Sequence, residues 1–286
     1  DENKNNKNEA KGLINILNSY KFTITENTPL EEEIALDPEL LGKVFENLLA
    51  EYNPETKSTA RKKTGSYYTP REIVNYMIDQ SLITYFKQKL NNINNIEKRL
   101  HKLFDYTDSS VEFSDDEKHQ LIKTISEIKI LDPACGSGAF LMGALHRLVD
   151  ILRKLDPDNK YWKEVQENRI RKEIKGVFET DIDKQREILA DEIKKIFDIE
   201  INYPDYARKL FLIENCIYGI DIQQIAIQIS KLRCFISLIV DQKVNDNKPN
   251  RNILSMPNLE TRFVAANTLI KLVINNQQAF KDPDVE

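Results

Sequence analysis

Apolar positions in this chain recur mostly at helical spacing, and strand-like runs are few and short. Leu40, Leu41, Val44, Phe45, Leu48 and Leu49 follow Asp37-Pro38, an N-cap residue with proline at the first helical position, and predict a helix. Thr69-Pro-Arg-Glu72 reads as a capping box with proline at N1, and Ile73, Tyr76, Met77, Tyr85 and Phe86 carry a helix on to about residue 90. Ser114-Asp-Asp-Glu117 repeats the device for a helix that runs into a short strand, Lys129 to Leu131. A glycine loop comes next, then a helix with its apolar face at Leu141, Leu145, Leu148 and Leu152, stopped by Asp156-Pro157. Strand, loop and helix make an α/β unit. Residues from about 157 to 210 hold three charged helical patterns and are expected to form a helical insertion that loops out. A second unit follows, with a strand from Asn215 to Ile220, Asp221 at its carboxyl end, and a helix through Ile225, Ile229, Leu232, Phe235, Ile236 and Ile239. A third short strand, Arg262 to Ala266, ends at Asn267.

Composition narrows the class. The 286 residues, 41% hydrophobic and 30% charged, describe a soluble globular protein with no apolar run long enough for a membrane helix. The first ten residues are polar and lack the apolar stretch of a secretory signal, which points to the cytoplasm. Cys135, Cys216 and Cys234 show neither a disulfide framework nor metal-pair spacing, and His101, His119 and His146 show no zinc pattern. A net charge of −5 argues against a whole-surface nucleic-acid binder, although Lys57-Ser-Thr-Ala-Arg-Lys-Lys63 could form a local contact.

The candidate chemistry lies in Asp132-Pro-Ala-Cys-Gly-Ser-Gly-Ala-Phe140. A loop from a strand's carboxyl end to a helix N-terminus offers backbone N–H groups to a ligand, and small residues let it approach. Three other glycine motifs fail on the same residues. A dinucleotide fingerprint needs a third glycine where Leu141 stands. A phosphate loop needs Lys and Ser/Thr where Ala144 and Leu145 stand. Ser137 lacks the flanking glycines of a nucleophile elbow. Pro157-Asp158 with Glu173-Ile-Lys175 superficially fits a nuclease pattern, but Glu-Ile-Lys recurs elsewhere in this Glu/Lys-rich chain and carries little information.

Asp-Pro-Ala-Cys-Gly-Ser-Gly-Ala-Phe-Leu resembles motif I of the amino-methylating DNA methyltransferases, whose loop cradles the methionine part of S-adenosylmethionine (SAM). Upstream, Lys63-Thr-Gly-Ser-Tyr-Tyr-Thr-Pro-Arg-Glu-Ile-Val-Asn-Tyr76 resembles motif X of the adenine methyltransferases of type I and type IIG restriction–modification systems. Downstream, the segment from Ile217 to Arg233 resembles their motif II. The order X, I, II is that of the γ-type N6-adenine enzymes. The resemblance implies that Tyr68 and Thr69 contact the SAM carboxylate, with Thr69 equally readable as a plain N-cap. It places Asp132 near the SAM ammonium, or else as a tie for the loop N–H groups. Ala134, Cys135, Gly136 and Gly138 act through backbone proximity. Asp221 accepts the ribose hydroxyls and Ile222 packs on the adenine, in preference to the acids of Val177-Phe-Glu-Thr-Asp181. Asn267 resembles motif III, which reads the adenine, and is also readable as a satisfied strand-end residue.

Adenine transfer in this family uses an Asn/Asp-Pro-Pro-aromatic motif that holds a flipped base. Neither Asn53-Pro54-Glu55 nor Asp282-Pro283-Asp284 qualifies. The expectation is therefore a chain truncated within its methyltransferase domain and inactive alone, whose intact form transfers methyl to adenine N6 in double-stranded DNA. The expected fold is α/β: a partial Rossmann-like SAM-dependent methyltransferase core with a truncated parallel sheet. Residues 1–62 form a helical N-terminal region, 63–127 the motif X segment and connector, and 128–286 the partial core with its insertion at about 157–210. The alternatives are a non-catalytic helical interaction module with a degenerate core, and an RNA or protein methyltransferase.

Overall fold

The computed structural model describes residues 69–106, 112–177 and 203–270, with 170–177 as backbone only. The chain divides into two units, Asp1–Ser66 and Tyr67–Glu286, and every described residue belongs to the second. The predicted helix after Asp37-Pro38 lies outside the described residues, as do Tyr68 and Asp181.

Helices α1 (Arg71–Lys89), α2 (Ile96–Leu103) and α3 (Asp115–Glu127) lead into strand β1 (Ile130–Asp132). Helices α4 (Ala139–Leu155), α5 (Lys160–Val177) and α6 (Pro204–Asn215) precede β2 (Ile217–Asp221), and α7 (Gln224–Ile239) precedes β3 (Phe263–Ala265). The three strands form one parallel sheet in the order β1-β2-β3, with Leu131 opposite Tyr218 and Ile220 opposite Val264. All three expected strands are thus present, each within a residue or two of its expected bounds.

The two expected capping boxes part company. Ser114 caps α3 reciprocally: its hydroxyl accepts from the Glu117 N–H, and its own N–H donates to the Glu117 carboxylate at 2.8 Å. At α1 no side chain caps the helix, because Pro70 is still extended (φ −57°, ψ 145°) and occupies the N-cap position itself. Its carbonyl accepts from the N–H groups of Ile73 and Val74, and the Thr69 hydroxyl falls one residue short of a capping position.

Two helices also bury a different face from the one their apolar residues suggested. In α1 the core side is Val74, Ile78, Leu82, Ile83 and Phe86, while Ile73, Tyr76 and Met77 are exposed. In α7, Ile225 and Leu232 are exposed, while Ile229 is buried together with Ala226, Ile227, Ser230, Lys231, Cys234 and Leu238. A helix apolar nearly all round carries little information about its inward side.

The described residues after Asp156 pack against the core. Both Asp156 carboxylate oxygens accept N–H bonds from the first turn of α5, from Lys160 (2.9 Å) and Trp162 (2.8 Å). Trp162 is fully buried and meets Phe211 of α6 edge-on. Leu212 and Ile213 of α6 join the same core as Leu145, Leu148 and Leu152 of α4. The described parts of the expected insertion are therefore packed structure. Burial of an aromatic or branched side chain contributes roughly 1.5–3 kcal/mol, which explains why α5 and α6 stay docked.

Helices α4 and α7 share one side of the sheet. Leu141 of α4 and Phe263 both crowd Gly219, and Cys234 of α7 touches Met142 of α4. The other side carries Leu131 (58% exposed), Val264 (40% exposed) and Tyr218, whose ring lies under Lys129 and Arg262.

Candidate functional site

The carboxyl ends of the three parallel strands carry nearly all the residues singled out above. β1 ends at Asp132, β2 at Asp221, and β3 two residues before Asn267. This end of a parallel sheet is where loop backbone and helix N-termini converge on a ligand.

The glycine loop turns through two left-handed positions, Gly136 (φ 53°) and Gly138 (φ 83°). A side chain at 138 would be strained by that dihedral and would also lie 2.9 Å from the Ser230 hydroxyl, so both backbone and surroundings demand glycine. Asp132 turns back on the loop and accepts from the Ala134 N–H at 3.1 Å. The Asp221 carboxylate accepts from the Gly136 N–H at 2.9 Å through one oxygen and from the Gln223 N–H at 2.8 Å through the other. The loop is tied to the neighbouring strand as well, with the Cys135 N–H donating to the Ile220 carbonyl at 2.9 Å. The third strand closes on the same place. The Ala266 N–H donates to the Asp221 carbonyl, and the Thr268 hydroxyl donates to the Pro133 carbonyl at 3.2 Å. Asn267 stands between these two anchors, exposed, its side chain accepting from the Leu269 N–H.

Electrostatics set the two acids in one field. Burial raises the Asp132 pKa above its ordinary value, the Ala134 N–H partly offsets this, and the negative charge of Asp221 raises it further. A nearby cation would relieve Asp132. Cys135 sits in the loop as a buried thiol pushed up to about 12, chiefly by burial and then by Asp132 and Asp221. Such a thiol is a packing residue rather than a nucleophile. Cys216 and Cys234 are likewise buried and raised by burial. No group of metal-ligating side chains occurs among the described residues, and no described helix is long and apolar enough to cross a membrane.

The structure thus brings together Asp132, Ala134, Cys135, Gly136, Gly138, Asp221, Ile222 and Asn267. Ile222 follows Asp221 with its side chain 63% exposed, as an apolar surface beside the acid. Thr69 is half-buried at the entry to α1, and Tyr68 lies outside the described residues. Sequence reasoning passed over four contributors: Gln223, Thr268, Ser230 and Arg233. Ser230 donates to the Gly136 carbonyl (3.0 Å), and Arg233 to the Ser137 carbonyl (2.9 Å). Nothing local marks either residue, because their partners lie 94 and 96 positions away in the chain.

Comparison with known proteins agrees with the geometry. Residues 109–269 match the family described as "MmeI, DNA-methyltransferase domain". That span takes in the glycine loop, Asp221 and Asn267. The chain is also 31% identical over 278 residues to a Methanocaldococcus jannaschii protein named "Putative type II restriction enzyme and methyltransferase". The match covers 92% of this chain and 19% of that protein, so the chain spans about a fifth of its relative's length.

Proposed function

Since the chain belongs to the MmeI DNA-methyltransferase domain family, we propose that it is the SAM-binding part of an adenine-specific DNA methyltransferase. The parent would be a type IIG restriction–modification protein of the γ order, acting on double-stranded DNA in the cytoplasm of a bacterium or archaeon. In this reading the three parallel strands are one half of a Rossmann-like core. The supporting observation is the convergence of Asp132, the doubly left-handed glycine loop, Asp221 and the Asn267 turn at one end of the sheet.

The residues present fit the cofactor. A carboxylate has about four lone-pair directions, and Asp221 uses two on the Gly136 and Gln223 N–H groups. It is therefore oriented yet still able to accept from a ribose diol. Ile222 offers the exposed apolar surface on which an adenine ring packs, and Asn267 offers an amide to its edge. Asp132 answers the ammonium of the methionine part, and Tyr68 and Thr69 its carboxylate. When bound, SAM supplies an electrophilic methyl on sulfur. The task of these side chains is to hold its two ends and aim that methyl away from the loop. No Asn/Asp-Pro-Pro-aromatic segment occurs in the 286 residues, so this chain lacks the groups that would hold a flipped adenine and does not methylate DNA by itself.

Calorimetric titration with SAM and S-adenosylhomocysteine tests the proposal. Both should bind, and Asp221→Ala should weaken binding by about tenfold or more, the scale of losing two charge-assisted hydrogen bonds. Absence of binding to the wild-type chain would leave a non-catalytic interaction module as the better reading. Nucleoside analysis of DNA treated with the longer parent protein tests the acceptor: N6-methyladenine is expected, and methylcytosine would refute the adenine assignment.

A further inference from the structure

Ser230 and Arg233 belong to α7, the helix that returns from β2, and neither stands at the carboxyl ends of the strands. Both nevertheless reach the glycine loop. Ser230 is 1% exposed, and its hydroxyl donates to the carbonyl of Gly136 at 3.0 Å. Arg233, half-buried one turn further along, donates from Nη1 to the carbonyl of Ser137 at 2.9 Å. A trans peptide points its N–H opposite to its C=O. Drawing the Gly136 carbonyl toward α7 therefore turns the Ser137 N–H away from α7. Meanwhile the Gly136 N–H is held by Asp221 and the Gly138 N–H by the Cys135 carbonyl. Consecutive peptide units of a loop with two left-handed residues are gripped from both sides.

Hydrogen-bonding need alone does not account for this arrangement. The Gly136 carbonyl is part of a loop at the sheet surface, where water could serve it, and the helix gives up apolar burial at Ser230 to reach it. Steric fit points the same way, because the Ser230 hydroxyl fills the space that a side chain at 138 would need. The loop conformation and this one serine are mutually exclusive with any residue but glycine at that position. Left to itself, a Gly-Ser-Gly turn would sample many conformations, since glycine populates positive and negative φ about equally.

We infer that Ser230 and Arg233 are positioning residues for the methyl donor: they lock the carbonyls of Gly136 and Ser137 against α7 and so present the loop in a single binding-ready conformation. The inference rests on the SAM reading of the site. It assigns to the helix after the ribose-binding strand a second duty, that of setting the shape of the methionine loop. Neither residue touches the cofactor, so the effect enters through pre-organisation, in which a flexible loop must be ordered at the moment of binding.

The test uses the full chain and the variants Ser230→Ala, Arg233→Met and Arg233→Lys, titrated with S-adenosylhomocysteine. Hydrogen–deuterium exchange of the ligand-free proteins is read on the peptide covering residues 133–140. Ser230→Ala and Arg233→Met should each weaken affinity about three- to tenfold, the scale of one lost hydrogen bond. Exchange should speed up in the loop but not in α3 or α6, and Arg233→Lys should recover most of the affinity. Wild-type binding with unchanged affinity in the variants would overturn this inference and leave the SAM reading standing. So would a loss of affinity accompanied by faster exchange throughout the protein, which marks a general loss of stability. Failure of the wild type to bind either compound would overturn both.

Discussion

Asp132 shows how a single side chain at the candidate site can cost the fold something. Burial and the charge of Asp221 hold its pKa above the ordinary 3.8. A raised folded-state pKa means that the folded protein binds the proton more tightly than the unfolded chain. The associated stability is therefore greatest at low pH and is lost as pH rises through the raised value. Asp132→Asn keeps an oxygen for the Ala134 N–H and removes the charge. It should melt at the same or a slightly higher temperature than wild type near neutral pH, with the difference vanishing in acid, while its affinity for S-adenosylhomocysteine falls about tenfold. Parallel thermal melts and titrations check both halves, and undiminished affinity would remove Asp132 from the ammonium site. Its tie to the Ala134 N–H was legible in the sequence because both groups belong to one short segment, a strand end followed by a glycine turn. Ser230 and Arg233 were not, since their partners lie 94 and 96 residues away and only the packed helix brings them together.

At the scale of elements, the least legible feature was which side of each helix faces inward. Tyr76 is 67% exposed although it belongs to the apolar spacing that predicted the helix, and Ser230 is buried in a helix whose apolar spacing did not include it. A polar contact joins α1 to α4 beside its apolar face. Arg147, buried on α4, forms a two-pronged bridge to Asp79 of α1 at 2.7 and 3.0 Å, donates to the Phe104 carbonyl, and lies over the ring of Tyr106. The bridge joins the helix that follows the glycine loop to the helix that follows Thr69. Burial raises the Asp79 pKa against the opposing pull of Arg147, so the acid depends on its partner. Arg147→Met should cost about 3–5 kcal/mol in a denaturant melt, because it leaves a half-buried carboxylate without its counter-charge. Adding Asp79→Asn should restore a substantial part of that loss. Equal stability of the single and double variants would show that the bridge is not what holds α1 on α4. The helical character of α1, α3, α4 and α7 was readable from spacing alone, but such a bridge between residues 68 positions apart was not.

For the whole molecule, element order was the most legible property, since strand, loop and helix alternate in the sequence as they do in space. The insertion was the exception. Its charged patterns were read as looping out, yet Trp162 and Tyr206 lie in the core, because a helix can be polar over most of its surface and still dock through a few large side chains. The sheet is the other surprise. Parallel strands are ordinarily covered on both sides, and among the described residues helices pack on one side of these. Leu131 and Val264 face outward, and β1 has no strand beyond it among the described residues.

That bare side has a consequence for the protein as a colloid. A partly exposed sheet surface whose edge strand has no neighbour among the described residues is a template for other copies of itself, and what opposes such encounters is mutual repulsion from a net charge of −5. Salt shortens the reach of that repulsion to about 8–10 Å at 0.10–0.15 M. Light scattering of the purified chain should therefore show association growing with ionic strength, and Leu131→Lys should suppress it with little change in melting temperature. The surface that makes the sheet extensible would then set the concentration and salt at which this chain can be kept in solution.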